Sequence, residues 1–167
     1  RASVVIDCTP KGVGHSNKLK YYDNFKNDVK GFLAQGSEDG FGKKYARGIN
    51  DSALNGSDQF IQIVSCNTHN ISCITKTLTL HEDPDNLIEG KYLCVRRAND
   101  LSQANSFIPS PQVGVHDDLI YGSHHAADAA GLFSTIGMDL NLFSSAMKVN
   151  SQYMHILWFN LKVKEPT

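Results

Sequence analysis

The chain has 167 residues, which is enough for one domain or two small ones. Hydrophobic residues at 41% and charged residues at 20% are ordinary for a soluble globular protein. The formal net charge of -1 gives no electrostatic reason to expect binding to nucleic acid or to an acidic membrane surface. The longest strongly apolar stretch, around 154–161, is interrupted by His155 and Asn160, so a membrane-spanning helix is not expected.

The start of the chain and its cysteines indicate the compartment. The first three residues lead straight into the apolar residues of a strand, and not into a signal sequence. The four cysteines are too few and too scattered for a disulfide framework, and no CxxC motif occurs. They are Cys8, Cys66, Cys73 and Cys94. This usage predicts free thiols in a reducing, cytoplasmic compartment.

The first part of the chain has the pattern of a parallel α/β sheet. A short run rich in β-branched residues predicts a buried strand at 4–8, which stops in a loop with glycines. Ser16 or Asn17 is expected to cap a helix, and 29–35 is predicted to form the next strand. The apolar face of that helix would consist of Leu19, Tyr22 and Phe25. Strand, helix and strand in this order are typical of parallel sheets.

The middle of the chain is predicted to contain a long loop followed by further regular elements. Residues 37–57 are rich in Gly, Asp, Asn and Lys and are expected to form that loop, with room for one short helix. The spacing of Ile71, Ile74 and Leu78 is helical. The predicted elements are a strand at 60–64, a helix at 67–80, a strand at 91–97 and an irregular segment with Pro109 and Pro111 at 102–121.

The last part of the chain is predicted to be a helix followed by a hairpin. Ser123 is expected to cap the helix. Its buried face would consist of Ala126, Ala129, Ala130 and Phe133. Strands at 140–149 and 153–164 would pair with each other through a turn at 150–151. In the last strand, apolar residues alternate with polar ones, as in a strand with one buried face.

Cys66 stands where a buried strand is predicted to become a helix. A helix N-terminus carries unpaired N–H groups and a partial positive charge, and both favour a thiolate over a thiol. Because the thiolate is the form that attacks carbonyl carbon atoms, this position suits a covalent catalyst. The alternative is a small buried hydrophobic residue, which is expected for Cys8, Cys73 and Cys94. A metal site would use Cys66, His69 and Cys73, but that spacing matches no common zinc pattern, so no metal is predicted.

Motifs along nearly the whole chain resemble those of archaeal-type glyceraldehyde-3-phosphate dehydrogenases. The segment around Cys66, VSCNT at 64–68, resembles the nucleophile motif of that family. Further motifs follow in the family's order: VIDCTPKGVG at 5–14 with Asn17-Lys18, Gln35-Gly36, VRRA at 95–98, SHHAAD at 123–128 and Met154-His155. One short motif can arise by chance, but several motifs in the order of one family are not expected by chance.

The resemblance implies the phosphorylating oxidation of an aldehyde, with NAD or NADP as cofactor. Cys66 would be the nucleophile that forms a thioester with the substrate, and His155 would be the general base. Inorganic phosphate would then attack the thioester to give an acyl phosphate. A homo-oligomer is also implied, because the family is usually tetrameric.

The resemblance assigns the other site residues as well. Substrate or phosphate binding is implied for Ser65, Asn67, His124 and His125. Cofactor binding is implied for Thr9, Pro10, Gly36 and Arg97. Without the family, His124 and His125 would be two exposed histidines at a helix start, and His155 a core histidine bonded to a backbone carbonyl. Arg96 and Arg97 point to opposite faces of a strand, so at most one of them reaches the cofactor or a phosphate, and the resemblance favours Arg97.

The expected fold class is α/β (α+β overall), a partial Rossmann-type parallel sheet followed by part of a mixed or antiparallel sheet with helices on one face. Residues 1–65 would be the C-terminal part of an NAD(P)-binding domain, and 66–167 the N-terminal part of the catalytic domain. The glycines at 12 and 14 are only a fragment of the G-x-G-x-x-G turn. The family's first βαβ unit is therefore expected before Arg1, and its long C-terminal helix after Thr167.

Departures from the family's pattern leave two alternatives open. His69 stands where the family usually has threonine, 150–152 replaces Pro-Thr-Thr, and Leu157 replaces a second histidine. The segment before Ser123 is also longer than in the family. A related dehydrogenase acting on a semialdehyde would draw its specificity from His69 and 102–122. The other alternative is a degenerate or truncated module that contributes to an assembly without catalysis.

Overall fold

The computed structural model describes residues 2–36, 38–81, 83–98, 111–151 and 153–166. Within these residues the chain forms three α-helices and eight β-strands. In chain order they are β1 (Val4–Asp7), α1 (Val13–Lys20), β2 (Gly31–Gln35), β3 (Lys43–Tyr45), β4 (Phe60–Ile63), α2 (Cys66–Thr79), β5 (Leu87–Arg96), β6 (Gln112–Val113), α3 (His124–Ser134), β7 (Leu142–Lys148) and β8 (Ile156–Val163). Two short 3-10 helices lie at Tyr22–Phe25 and Asp51–Ala53. None of the helices in the described part is long and apolar enough to cross a membrane.

The first four strands form a parallel sheet in the order β1-β2-β4-β3. Leu33 of β2 lies in register between Ile6 of β1 and Ile61 of β4. On one face of this sheet Phe32 stacks between Tyr22 and Phe60, with ring centroids 5.2 and 4.7 Å apart. Because all four strands run in the same direction, the loops that follow them meet at one edge of the sheet.

The first helix begins earlier than the sequence predicts. The expected caps are Ser16 and Asn17, but α1 starts directly after Gly12. The carboxylate of Glu38, in the loop after β2, accepts hydrogen bonds from the backbone N–H groups of Gly12 (2.5 Å) and His15 (2.8 Å). Glu38 is itself buried. A side chain distant in sequence therefore binds the free N–H groups at the start of the helix.

Two further expectations for this half of the chain are wrong. The apolar face predicted for the first helix does not exist, because α1 ends before Tyr22, and Leu19 and Phe25 are exposed. The predicted loop at 37–57 contains one short 3-10 helix, as expected, but it also contains the short edge strand β3, which pairs in parallel with β4. The other predicted elements, at β1, β2, β4 and α2, lie where the sequence places them to within a few residues.

The second sheet has the order β6-β7-β5-β8, so the hairpin predicted at the end of the chain is wrong. Leu93 of β5 pairs with Ser145 of β7 on one side and with Trp158 of β8 on the other. The β5–β7 pair is parallel and the β5–β8 pair antiparallel. A parallel pair needs a crossover connection, and α3 lies in it. Residues 102–110 of the predicted irregular segment, with Pro109, lie outside the described residues.

The two helices α2 and α3 cover one face of this sheet and form the main core with it. The four residues predicted for the buried face of α3 are all buried, which confirms that prediction. Tyr92 of β5 reaches Thr75 of α2, with 2.6 Å between their hydroxyl oxygens. The other face of the sheet is not covered by described residues, and Ile156 and Trp158 are 65% and 57% exposed there. A parallel sheet followed by a mixed sheet with helices on one face is the expected fold class, which is therefore confirmed.

Polar contacts join α3 to the edge of the first sheet. Lys44 of β3 forms an ion pair with Asp128 of α3, with Nζ and Oδ1 2.7 Å apart. Asn50 is fully buried and donates hydrogen bonds to the Lys44 carbonyl (2.9 Å) and to Thr135 Oγ1 (2.8 Å). Because buried polar groups are costly when unpaired, these contacts fix the position of α3 relative to the parallel sheet.

Candidate active site

The ends of four elements carry the residues that matter for chemistry. Cys66 opens α2, His125 lies in the first turn of α3, Arg96 closes β5, and His155 directly precedes β8. The charges of Arg96 and Cys66 both act on the buried thiol of Cys94, whose pKa burial raises to about 11. The charges of Arg96 and His155 act on His125. Cys66 and Arg96 therefore both lie near Cys94, and Arg96 and His155 both lie near His125.

Cys66 is the first residue of α2, and its thiol is exposed and free. Ser65 precedes it as the N-cap, and the Ser65 hydroxyl accepts a hydrogen bond from the Thr68 N–H at 3.5 Å. The side chain of Asn67 is buried. No acidic residue stands in the first turn of α2, so the positive end of the helix dipole lies beside the thiol without an opposing carboxylate from that turn.

The resemblance predicts that His155 lies within a strand, but His155 lies one residue before the start of β8. Its Nδ1 accepts a hydrogen bond from the backbone N–H of Arg97 at 3.3 Å. Val95 pairs with Ile156, and continuing this register by one residue places His155 beside Arg96 at the end of β5. Because Nδ1 accepts a hydrogen bond, the neutral ring carries its proton on Nε2, which is then a donor.

Helix α3 begins after Ser123 as predicted, but a different side chain caps it. The hydroxyl oxygens of Ser123 and Ser144 are 2.7 Å apart, and Ser144 Oγ accepts a hydrogen bond from the Ala126 N–H at 3.0 Å. Gly122 permits this close approach, since its φ is 73° and a Cβ there would lie 2.5 Å from the Ser144 carbonyl oxygen. The start of α3 is therefore fixed to the neighbouring strand β7.

His125 is buried, and neither of its ring nitrogens has a hydrogen-bond partner among the described residues. The ring centroid of His124 lies 3.9 Å away. Burial lowers the pKa of His125 to about 3, and the positive charges of His124, Arg96 and His155 act in the same direction. His125 is therefore neutral at pH 7. Without the family resemblance, both His124 and His125 were expected to be exposed, but only His124 is exposed.

Positive charge surrounds the start of α3. Desolvation lowers the pKa of His124, although part of its side chain is exposed. The positive charges of Lys11 and Arg96 lower this pKa further, and the negative charge of Asp128 raises it. Lys11 comes from the loop after β1, so the parallel sheet and α3 meet here. The sequence analysis assigned a role to Arg97 and none to Lys11 or Arg96. Arg97 follows β5, and its backbone N–H donates a hydrogen bond to His155 Nδ1.

Of the four residues expected to bind the cofactor, Arg97 follows β5 of the second sheet, and the other three lie at the shared edge of the parallel sheet. Thr9 and Pro10 follow β1, Gly36 follows β2, and Ser65 follows β4, and β1, β2 and β4 are neighbours in the sheet. Ligands of such sheets bind outside these strand ends. Gly36 has a φ of 75°, and nothing lies within 4 Å of the position that a Cβ would take. The open space beside Gly36 leaves room for a ligand at this edge, whereas the backbone N–H groups at the start of α1 are already bound by the Glu38 carboxylate.

Asp7 anchors the loop that carries Thr9, a role that the sequence did not reveal. Its carboxylate accepts hydrogen bonds from the Thr9 N–H (2.9 Å), the Thr9 hydroxyl, Asn17 Nδ2 (3.0 Å) and the Tyr22 hydroxyl (2.7 Å). Burial alone would raise the pKa of Asp7, but these bonds from Asn17, Thr9 and Tyr22 outweigh it and bring the pKa to about 2. The loop is thus held by a charged, fully bonded carboxylate.

The other cysteines match the expected buried hydrophobic residue in only one case. Cys94 is buried in β5, but Cys8 and Cys73 are exposed. Cys73 lines a cleft of about 290 Å³ on the outer side of α2, together with Arg47 and Lys76, and Cys66 does not line this cleft. Among the described residues no group of three or more His, Cys, Asp or Glu side chains is arranged to hold a metal ion.

Comparison with known proteins supports the similarity seen in the motifs. The chain is 30% identical over 167 residues to glyceraldehyde-3-phosphate dehydrogenase 2 of Methanosarcina acetivorans, covering 98% of the chain and 45% of that relative. It is 29% identical to the enzyme of that name from Methanopyrus kandleri (97% and 43%) and 26% identical to that of Archaeoglobus fulgidus (99% and 45%). No family model matches the chain. The chain spans less than half the length of these relatives.

The relatives are oxidoreductases by name, and the observed fold fits that class of protein. Within the class, the chain is a relative of archaeal-type glyceraldehyde-3-phosphate dehydrogenases, similar to part of their length over nearly all of its own. The resemblance drawn from the motifs is therefore confirmed.

Proposed function

We propose that the protein is a phosphorylating, NAD(P)-dependent aldehyde dehydrogenase that acts on glyceraldehyde 3-phosphate. The observation that carries the proposal is the position of Cys66. Its thiol is exposed at the positive end of α2, and both Cys66 and Arg96 lie near enough to Cys94 for their charges to act on the Cys94 thiol. A nucleophile in a positively charged, accessible position is what covalent catalysis on a carbonyl requires.

The first step uses Cys66 and His155. The Cys66 thiolate adds to the aldehyde carbon, a C–S bond forms, and the carbonyl oxygen becomes the oxyanion of a hemithioacetal. His155 is proposed to act on this oxygen. In the tautomer inferred from the Arg97 contact, Nε2–H would donate a hydrogen bond to the oxyanion, as an oxyanion hole does. The family's general-base role requires the other tautomer, in which the Arg97 N–H no longer binds Nδ1.

The oxidation of the hemithioacetal needs a hydride acceptor, which a bound nicotinamide cofactor would supply. Thr9, Pro10 and Gly36 are proposed to hold it at the edge of the parallel sheet, with Arg97 on the side of the second sheet. The positive φ of Gly36 and the open space beside it support a close approach of the ligand to the backbone. This arrangement is consistent with 1–65 as the nucleotide-binding part and 66–167 as the catalytic part.

The last step releases the product from Cys66. Inorganic phosphate attacks the thioester carbon, a C–O bond forms, the C–S bond breaks, and Cys66 returns to its thiolate. The charges around the start of α3 support the binding of anionic groups there by His124 and His125. Ser65 and Asn67 flank the thiol, and we assign them to the support of substrate at the first turn of α2.

The proposal includes a homo-oligomer in the reducing cytoplasm. Four free thiols fit a reducing compartment. The uncovered face of the second sheet, with Ile156 and Trp158 exposed, is the surface that we assign to further chain or to a second copy.

The proposal is tested by assaying the protein at its natural full length. Reduction of NAD or NADP by glyceraldehyde 3-phosphate should require inorganic phosphate and should be abolished in Cys66→Ser. Cys73→Ser is the matched control, because Cys73 is exposed on the same helix and should be dispensable. Activity with a semialdehyde alone would favour the related dehydrogenase. A folded protein with no activity on either aldehyde would leave the non-catalytic module as the explanation.

A further inference from the structure

An ion pair ties the helix that carries His124 and His125 to the parallel sheet. Nζ of Lys44, in β3, lies 2.7 Å from Oδ1 of Asp128, in α3, and the two side chains are 23% and 20% exposed. Asn50 holds the main chain of the same lysine, because its Nδ2 donates a hydrogen bond to the Lys44 carbonyl at 2.9 Å. Lys44 is therefore fixed at its main chain and at its ammonium group. No step of the proposed reaction uses Lys44 or Asp128.

His124 is the other basic side chain that the Asp128 carboxylate can meet. Asp128 follows His124 by four residues, and side chains four residues apart are neighbours on the surface of a helix. The negative charge of Asp128 acts on His124 and raises its pKa. In the described part of the chain, however, the carboxylate binds Lys44 and forms no ion pair with His124. The lysine therefore holds the carboxylate away from the histidine.

The side chain of Lys44 lies close over helix α3. A Cβ at Gly131, one turn after Asp128, would lie 3.6 Å from Lys44 Nζ and 3.9 Å from its Cδ, so a larger side chain at this position would meet the lysine. A second carboxylate, that of Asp39, lies 3.6 Å from Nζ and is 86% exposed. Because solvent screens such an exposed pair, Asp39 competes little with Asp128 for the lysine.

The position of the Asp128 carboxylate matters because of the role proposed for His124. An imidazole that binds an anionic group needs a free N–H donor, and a carboxylate bonded to the same ring would compete for that donor. The carboxylate would also repel the anion. The positive charge of Lys11 acts on His124 as well, so this position favours an anion as long as Asp128 is held elsewhere.

We propose that Lys44 is a positioning residue of the dehydrogenase, which holds the Asp128 carboxylate away from His124 and so keeps His124 available to the anionic substrate. The proposal rests on the proposed function, in which His124 binds an anionic group. Neither Lys44 nor Asp128 touches the substrate in this account. Since Lys44 belongs to the parallel sheet, the first half of the chain prepares a binding residue in the second half.

The titration of His124 tests the proposal without any dehydrogenase activity. In NMR titrations of the full-length protein, Lys44→Gln should raise the pKa of His124, because the released carboxylate can turn toward the ring. When Asp128→Asn is added to Lys44→Gln, the pKa should fall below its wild-type value, since the charge of Asp128 raises it. The resonance of His124 is identified by its loss in His124→Asn.

Lys43 provides a matched control. It precedes Lys44 in β3, and its Nζ lies 2.6 Å from Asp58 Oδ2, with the two side chains 28% and 16% exposed. Lys43→Gln therefore breaks an ion pair of similar length and burial that does not involve α3. Both single substitutions should lower the Tm, but only Lys44→Gln should change the titration of His124. The comparison separates a positioning role from a contribution to stability alone.

Kinetics of the full-length enzyme test the consequence for substrate binding. Lys44→Gln should raise the KM of glyceraldehyde 3-phosphate by about 2- to 5-fold and leave kcat nearly unchanged, whereas Lys43→Gln should change neither. Adding Asp128→Asn to Lys44→Gln should restore most of the KM, because the competing carboxylate is then absent. The KM of glyceraldehyde, which is uncharged, should respond much less to any of these substitutions.

Three results would overturn the proposal. They are an unchanged pKa of His124 in Lys44→Gln, a raised pKa with an unchanged KM of glyceraldehyde 3-phosphate, and a double variant that binds this substrate as poorly as Lys44→Gln alone. A wild-type enzyme without activity would instead contradict the proposed function. The titration would still show whether Lys44 holds Asp128 away from His124.

Discussion

Acidification should destabilise the protein through His125 in a defined pH window. In the unfolded chain a histidine takes up its proton near pH 6.5, whereas the folded environment lowers the pKa of His125 to about 3. Between these values the unfolded state binds more protons than the folded state. The stabilisation is therefore complete above pH 6.5 and is lost as the pH falls toward 3. Between pH 7 and pH 4.5 the loss amounts to about 2.5 kcal/mol.

Urea denaturation at a series of pH values measures this effect. The free energy of unfolding of the wild type should fall about 2.5 kcal/mol more than that of His125→Gln between pH 7 and pH 4.5. The titration of the acidic residues is common to both proteins and cancels in the comparison. Only the slope matters, since the substitution also changes packing at pH 7. Parallel curves for the two proteins would refute the burial of a neutral His125.

Two further substitutions test neighbouring parts of the site. His155→Asn in the full-length enzyme should lower turnover by about 10²- to 10⁴-fold and slow alkylation of Cys66. If His155 is only structural, the substitution should instead lower the Tm and leave turnover nearly unchanged. His124→Asn is the control, and it should act mainly on KM. Asp7→Asn should lower the free energy of unfolding by about 2 kcal/mol at pH 7, because the pKa of Asp7 is about 2 in the folded protein and 3.8 in an ordinary aspartate. The stabilisation by Asp7 is present above pH 4 and is lost as the pH falls toward 2. Denaturation curves at pH 7 and pH 2.5 measure this, and an equal difference at both values would contradict it.

The local patterns of the sequence predict most helices and strands, because they depend on neighbouring residues. The spacing of apolar residues in α2 and α3 and the apolar run of β4 are such patterns. The edge strand β3 was not predicted, because its sequence, Lys43-Lys44-Tyr45, is polar, as the sequences of edge strands often are. The start of α1 was not predicted, because Glu38, whose carboxylate accepts the hydrogen bond of the Gly12 N–H, lies 26 residues after Gly12 in the sequence.

The hairpin prediction failed for a topological reason. The segments at β7 and β8 are adjacent in the chain and alternate in polarity, so pairing them is the simplest choice. The loop between Lys148 and Ile156 is too long for a tight turn and contains no Asn-Gly or Asp-Gly turn pair. The ten-residue strand β5 can bind both segments, one on each edge. The strand–helix–strand order of β5, α3 and β7 was the available signal for a parallel pair.

The motifs predicted which residues stand at the ends of the elements, but not which of them face one another. The similarity to the family suggested Cys66, His125 and His155, and the structure places them at converging ends. It favoured Arg97 over Arg96 for the cofactor, but which of the two arginines points toward the helices depends on which face of β5 the helices cover. Lys11 lies within the motif at 5–14 but was given no role, because its effect on His124 arises from the packing of two sheets.

The central claim is that Cys66 is an activated nucleophile, and the relative reactivity of the four thiols tests it most directly. Cys8, Cys66 and Cys73 are all exposed, so accessibility alone predicts similar alkylation of these three, and burial protects Cys94. Limiting iodoacetamide near neutral pH, followed by peptide mapping, measures each rate. The account predicts that Cys66 is labelled first and that Cys94 is labelled last. Labelling of Cys8 or Cys73 as fast as Cys66 would contradict the claim.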